Sequence, residues 1–206
     1  MTALPPAGQA FFGRLRAHLH HAPSKSFDAP GLVLKEAAVL APLFWREGEP
    51  WAYLTRRPMN LRKHPGQISF PGGGREPGDL TPLHTALRET REELGIEPES
   101  VEVLGLLGAM PTITSYWVTP FVGVVPEDVK LSPNPAEIDE VIPAPLWRLR
   151  REKRYLFQAD RDVFVWDDAR HVVWGATWRM LGVDHVSPMP PAPHLLGEGR
   201  ERSRGA

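Results

Sequence analysis

"RETREELG", residues 88–95, places five charged side chains in its first six positions. Such a run is either the solvated back of a surface helix or a group of carboxylates gathered for a cation. The flanks define the element first. Thr81 followed by Pro82 is a helix start, a capping hydroxyl ahead of proline at the first helical position. Gly95 is a stop, because glycine accepts the left-handed conformation that ends helices. At 100° per residue, Leu83, Leu87, Thr90 and Leu94 fall within about 60° and form the expected buried stripe, while Glu89, Glu92 and Glu93 fall within about 100° on the opposite side. Two carboxylates about 6 Å apart repel by roughly 0.7 kcal/mol in water and roughly 3 kcal/mol at an effective dielectric of 20. An exposed helix tolerates the smaller figure, and Arg88 and Arg91 offset part of it. Taken alone, the helix reads as a solvated face.

The residues in front change that reading. "GGGREPGD" (72–79) is a glycine-rich turn feeding a helix, a geometry that can cradle phosphate through backbone N–H groups. It is not a nucleotide P-loop, because no lysine plus Ser/Thr follows, and it is not the dinucleotide fingerprint. No G-x-S-x-G element points to a serine hydrolase. His18, His20 and His21 do not share the i,i+4 face that a helical zinc pair needs.

Composition sets the frame. The 206 residues suffice for one well-buried domain. A hydrophobic share of 42% with 24% charged residues matches an ordinary globular protein, and a net charge of −1 gives no broad pull toward nucleic acid or anionic membrane. The absence of cysteine removes disulfides, thiolate metal sites and cysteine nucleophiles. The apolar run 37–45 is far too short to span a bilayer, and no signal-peptide core is visible, so a cytoplasmic location is expected. Of 23 prolines several lie in "SPMPPAPH" (187–194), so residues 187–206 read as a disordered tail.

Along the chain, residues 1–10 read as loose and "FFGRLRAHLHH" (11–21) as a short helix, together an N-terminal extension of residues 1–30 before the main domain over 31–186. Two apolar runs separated by "GEP" predict a strand pair, "GQISF" a third strand, and "PGGGREPGD" irregular chain. Further strands are expected around "VEVLGLLGAM" and "WVTPFVGVVP". A proline-rich loop follows at "LSPNPAEIDEVIPAP", then a short helix at "LWRLRRE", strands near "DVFVW" and "HVVW", and a helix at "GATWRMLGV". One α+β domain accounts for this order.

The glycine turn and charged helix together resemble the Nudix box, G-x5-E-x7-R-E-U-x-E-E-x-G-U, with Gly73, Arg88, Glu89, Glu92, Glu93, Gly95 and Ile96 in matching places. Two positions depart from it. Counting back from Arg88 puts Leu80 at the first glutamate, whereas counting from Gly73 puts Asp79 there with one extra residue before Arg88. Thr90 stands at an aliphatic position. The resemblance implies the Nudix fold, an α/β/α sandwich around a mixed sheet, and hydrolysis of a diphosphate linked to another moiety with Mg²⁺ or Mn²⁺. Such hard cations want oxygen ligands. By the same resemblance the metal site comprises Glu89, Glu93, Glu92 and Gly73, and Arg88 orients a glutamate. The general base is left open between a box glutamate and a later loop acid; Glu137 is the loop candidate, ahead of Asp139 and Glu140.

Upstream, Arg56, Arg57, Arg62, Lys63 and His64 place five basic or potentially basic residues within nine positions. Leu54, Thr55, Arg57, Arg62, Gly66, Phe70, Pro71, Gly72 and Gly73 match a signature similar to that of the coenzyme A pyrophosphatase subgroup. That resemblance covers roughly residues 36–181. It implies a CoA-type diphosphate as small-molecule partner, with Arg56, Arg57, Arg62 and His64 on the substrate, no nucleic acid and no membrane, and it is compatible with a homodimer. Cleavage would release 4′-phosphopantetheine and adenosine 3′,5′-bisphosphate. ADP-ribose is the main competing substrate, favoured by Pro111 fifteen residues beyond Ile96. A non-hydrolytic nucleotide sensor is the other class, against which the intact Glu89, Glu92 and Glu93 argue. Trp117 or Trp174 could line an adenine or pantetheine pocket.

Overall fold

In the computed structural model, residues 4–21, 34–61, 64–112, 114–146, 150–156, 159–165, 171–173 and 175–181 are described, with 150–156, 159–165 and 178 as backbone alone. Helix α1 is Pro6–His18, α2 Pro82–Leu94 and α3 Gly175–Leu181. The main sheet contains β1 (Lys35–Arg46), β2 (Glu49–Arg56), β3 (Ile68–Ser69), β4 (Gly72–Gly74), β5 (Glu102–Leu106), β6 (Met110–Pro111), β7 (Tyr116–Val124) and β8 (Glu140–Pro145). A second, three-stranded sheet is formed by β9 (Arg150–Leu156), β10 (Ala159–Val165) and β11 (Val172–Val173). Pairing of β1 with β7 is parallel and the other pairings of the main sheet are antiparallel, so the sheet is mixed.

Strand β1 is buried on both faces, which explains its nearly unbroken apolar sequence. Ala38 and Leu40 pack with Ala86 beneath α2. Ala41 and Leu43 point the other way, into a core that also holds Phe11 and Phe12 of α1 and Met180 of α3. The result is the expected α/β/α sandwich. Phe11 and Phe12 also close on Trp45, with ring centroids 5.9 and 6.1 Å away. This packing corrects the loose reading over residues 6–10, since the helix already begins at Pro6, while residues 1–3 lie outside the described residues.

The "GEP" turn is a two-residue hairpin at Glu47 and Gly48, with φ of 54° and 81°, the positive pair that suits the twist of the strands it joins. Beyond it the two strands splay. Their last register pair is Leu43 with Ala52, and residues 68–74 enter the gap. There β3 pairs with the end of β2 (Thr55 with Ser69) and β4 pairs with the start of β1 (Ala37 with Gly74). The irregular chain expected at "PGGG" is therefore in part a strand.

Two other expectations are corrected. Residues 140–145 were expected to be loop but form β8 along β2, from Arg56↔Glu140 to Trp51↔Pro145. Among the described strands β8 pairs only with β2, and an edge strand tolerates proline where its N–H side faces outward. The helix expected at "LWRLRRE" is replaced over Arg150–Leu156 by β9, whose pairing with β10 overrides a local helical preference. Residues 147–149 and the tail 187–206 lie outside the described residues.

Candidate active site

Helix α2 starts and stops as the sequence requires. Thr81 Oγ1 accepts from the His84 N–H at 3.2 Å, and Gly95 takes φ 70°. A Cβ at Gly95 would also meet Ser132 Cβ at 2.7 Å, so conformation and space both demand glycine. Thr90 is fully buried and its hydroxyl donates to the Ala86 carbonyl at 2.7 Å, which satisfies the polar atom at an otherwise aliphatic position.

The buried arc of α2 is wider than the expected stripe, because the helix lies against both β1 and β4. It comprises Thr85, Ala86, Thr90, Glu93 and Leu94. Glu93 is only 3% exposed. The expectation that all three glutamates lie opposite the apolar stripe is corrected: Glu93 points inward, while Glu92 is exposed.

Arg88 is the hub of the cluster. Its Nε and Nη2 donate to the two carboxylate oxygens of Asp79 at 3.0 and 2.9 Å, a bidentate pair. Nη1 donates to Glu89 Oε1 at 3.0 Å and Glu92 Oε2 at 2.9 Å, and Nη2 also donates to the Gly74 carbonyl at 3.0 Å. Asp79 accepts further from Thr85 Oγ1 and the Glu76 N–H. The Arg88 hydrogen bonds hold the Asp79 carboxyl well below the usual carboxylate range, and reciprocally raise the guanidinium. This resolves the two counts of the motif. Leu80 is 77% exposed whereas Asp79 is 6% exposed, so the aspartate takes the structural position and the extra residue is absorbed by an exposed turn. Asp79 is the positioning residue missing from the candidates drawn from sequence.

Glu89 lies against β4. A Cβ at Gly73 would come within 2.6 Å of the Glu89 carboxyl carbon, so the glycine leaves room for the carboxylate. Burial raises the Glu89 pKa, opposed by Arg88. Glu93 is pushed up to about 8 by burial and then by the charge of Glu89, while Arg57 and a hydrogen bond from the Gly72 backbone pull the other way. Glu93 Oε2 is buried without a hydrogen-bond partner. The charge of Glu137 raises both Glu89 and Glu93, and its own Oε1 accepts from Asn134 Nδ2 at 3.3 Å. Asn134 in turn donates its backbone N–H to the Glu93 carbonyl at 3.0 Å, tying that loop to the helix.

These groups fit a hard divalent cation. An orphaned buried carboxylate oxygen on Glu93 and a second carboxylate, Glu89, beside a glycine are the oxygen donors such an ion prefers, with the charge of Glu137 felt by both. Among the described residues no three such side chains are drawn together tightly enough to hold an ion unaided. Diphosphate oxygens would complete the shell.

A cavity of about 640 Å³ adjoins the Gly72–Gly74 strand. Arg57, His64 and Gln67 line it, the loop carrying them being closed by hydrogen bonds from the Arg57 N–H to the Gln67 carbonyl (3.0 Å) and from the Gly66 N–H to the Arg57 carbonyl (3.1 Å). Arg57 Nε is buried without a hydrogen-bond partner. Arg56 does not line this cavity; it is paired with Asp139 at 2.9 Å and Glu140 at 3.1 Å, which engages both of those loop acids. Trp117 is not among the lining residues either, and Arg62 and Trp174 lie outside the described residues. A larger cleft of about 920 Å³, lined by Trp45 and the Glu47–Gly48 turn, includes none of the box carboxylates.

A family model for the NUDIX domain matches residues 34–166. The chain belongs to the Nudix family. It is 39% identical over 149 residues to the uncharacterized Nudix hydrolase NudL of Enterobacter sp. (strain 638), and 37% identical over 149 residues to that of Escherichia coli (strain K12), in each case 69% of this chain and 77% of the relative. Among solved structures, a Nudix hydrolase from M. smegmatis, RenU, is similar at 19% identity with a TM-score of 0.48, over 58% of this chain and 82% of that one. The chain is thus a Nudix hydrolase, of a family that acts on diphosphate-linked substrates with divalent metal ions. Among the described residues no helix is long and apolar enough to cross a membrane.

Proposed function

We propose that the protein hydrolyses the diphosphate of coenzyme A, or of CoA derivatives, to 4′-phosphopantetheine and adenosine 3′,5′-bisphosphate. The observation supporting this reading is the shared boundary between the carboxylates and the cavity. Gly72 and Gly73 touch Glu93 and Glu89 on one side and line the cavity on the other, where the Arg57 guanidinium supplies positive charge and the His64 ring a hydrogen-bonding nitrogen to a phosphate-rich ligand.

When bound, Mg²⁺ or Mn²⁺ would neutralise the diphosphate, polarise phosphorus and acidify water. Glu89 and Glu93 would hold it, together with Glu92 and the Gly73 backbone. Arg88, itself fixed by Asp79, holds Glu89 in place and keeps Glu92 against the helix. Arg57 and His64 bind phosphate oxygens. Glu137 accepts the proton of the attacking water, whose oxygen joins one phosphorus as the bridging P–O bond breaks toward the other. Arg62 belongs to the same phosphate-binding group on the strength of the sequence signature.

Incubation with CoA in ¹⁸O-water, with Mg²⁺ and with Mn²⁺, should give the two named products with label in one product phosphate. ADP-ribose, NADH and dephospho-CoA serve as comparison substrates. Preferential turnover of ADP-ribose would replace the CoA reading, and tight CoA binding without turnover under either metal would favour a sensor.

A further inference from the structure

The cavity beside Gly73 is bounded by a helix that the family match does not include. Matching ends at residue 166, whereas α3 spans Gly175–Leu181 and contributes Ala176, Thr177 and Met180 to the cavity lining. The helix is anchored in the fold: Met180 is 4% exposed and shares a core cluster with Phe70 and Val118, which also line the cavity.

We propose that α3 is a specificity element of this site, with Ala176 and Met180 receiving the thiol-bearing arm of the substrate and setting the length of acyl chain it accepts. The inference rests on the CoA reading above. A moiety joined to a diphosphate at Gly73 enters the cavity directly, and a CoA-type substrate has two candidates. The nucleoside half is flat and carries a further phosphate. The other half is a flexible chain of methylenes and amides ending in sulfur.

The lining matches the second. Hydroxyls of Thr114 and Ser115 can exchange hydrogen bonds with amides, Thr112 Oγ1 being engaged with Thr114 and the Tyr116 backbone, and Val39, Val118 and Met180 offer apolar surface. Phe70 and Tyr116 are the phenylalanine and tyrosine rings of the lining, Tyr116 being the more exposed of the two. Methionine suits the end wall of such a channel, because an unbranched thioether can fold away or extend as the occupant requires. Each methylene an acyl chain buries before reaching that wall should raise kcat/KM about fourfold, the equivalent of about 0.8 kcal/mol.

The test measures kcat/KM of the full chain with Mg²⁺ for CoA and its acetyl, butyryl, hexanoyl and octanoyl thioesters, each profile normalised to CoA. The wild type should rise with chain length and then fall at a limit. Met180→Ala should move that limit to longer chains, and Ala176→Leu, at a half-buried position beside the core cluster, should move it to shorter ones. Thermal melts establish that each variant is folded. A flat wild-type profile, or an unchanged limit in folded Ala176→Leu, overturns the role of α3 while CoA hydrolysis stands. Failure to cleave CoA or any thioester overturns the CoA reading itself, and the inference with it.

Discussion

Replacing Glu93 with glutamine should make the metal-free protein more stable at alkaline pH while destroying its activity. The carboxyl is 3% exposed and its Oε2 lacks a partner. Burial, and then the charge of Glu89, move it from an ordinary 4.5 up to about 8. An acid whose pKa is raised in the folded state binds its proton more tightly there than when unfolded. Stability is therefore unaffected below the unfolded value of 4.5, falls as pH rises toward 8, and is fully reduced above it. At about 1.4 kcal/mol per pH unit, the whole loss has an upper bound of roughly 5 kcal/mol, comparable with the total stability of many domains. Glutamine keeps the shape and removes the charge. Urea unfolding in EDTA, followed by tryptophan fluorescence from about pH 5 to about pH 9, should show the wild type losing several kcal/mol that Glu93→Gln retains. Saturating Mg²⁺ near pH 8 should restore the wild type and leave the variant unmoved, and turnover of the variant should fall by at least about a hundredfold. Parallel pH curves for the two proteins would refute the buried-carboxylate reasoning.

Asp79→Asn breaks the bidentate clamp on Arg88 and should cost about 3 kcal/mol in urea unfolding near neutral pH. Because the Asp79 pKa is depressed, its contribution is present above the ordinary value of 3.8 and fades as pH falls below it, so wild type and variant should converge in acid; a constant gap would contradict the clamp. Gly73→Ala drives a Cβ into the Glu89 carboxyl and should lower kcat by at least about tenfold with little change in melting temperature; normal turnover would show that Glu89 can move aside freely. Arg57→Ala should reduce kcat/KM for CoA by at least about tenfold, and more for CoA than for dephospho-CoA, whereas Arg56→Ala, which removes partly exposed ion pairs, should change stability by less than about 1 kcal/mol and activity little. Equal kinetic losses in both variants would remove the distinction drawn from their placement.

The helix at the centre of the site is legible from sequence because its signals are local: Thr81, Pro82 and Gly95 each act within one turn of the chain. The sandwich is legible through the resemblance of the glycine turn and charged helix to the Nudix box, whereas the order of elements by itself reads only as one α+β domain. What escapes is set by partners distant in sequence. "PGGG" contains no strand-forming residue, yet splaying of β1 and β2 leaves a gap that a backbone without side chains can enter. Pro143 and Pro145 argue for a loop until β2 is seen to supply the pairing. The inward turn of Glu93 depends on β4 lying over α2, which a helical wheel cannot know. Arg56 and Arg57 are indistinguishable as letters, and only the chain path sends one to Asp139 and the other to the cavity.

The exposed turn that absorbs the extra residue before α2 offers a practical foothold. Leu80 projects 77% of its surface into solvent one position from the buried Asp79, and the protein contains no cysteine. Leu80→Cys would therefore introduce a single thiol, open to a maleimide dye or spin label, at the shoulder of the catalytic loop. A reporter attached there could follow ligand binding in real time without altering a core residue or a carboxylate of the site.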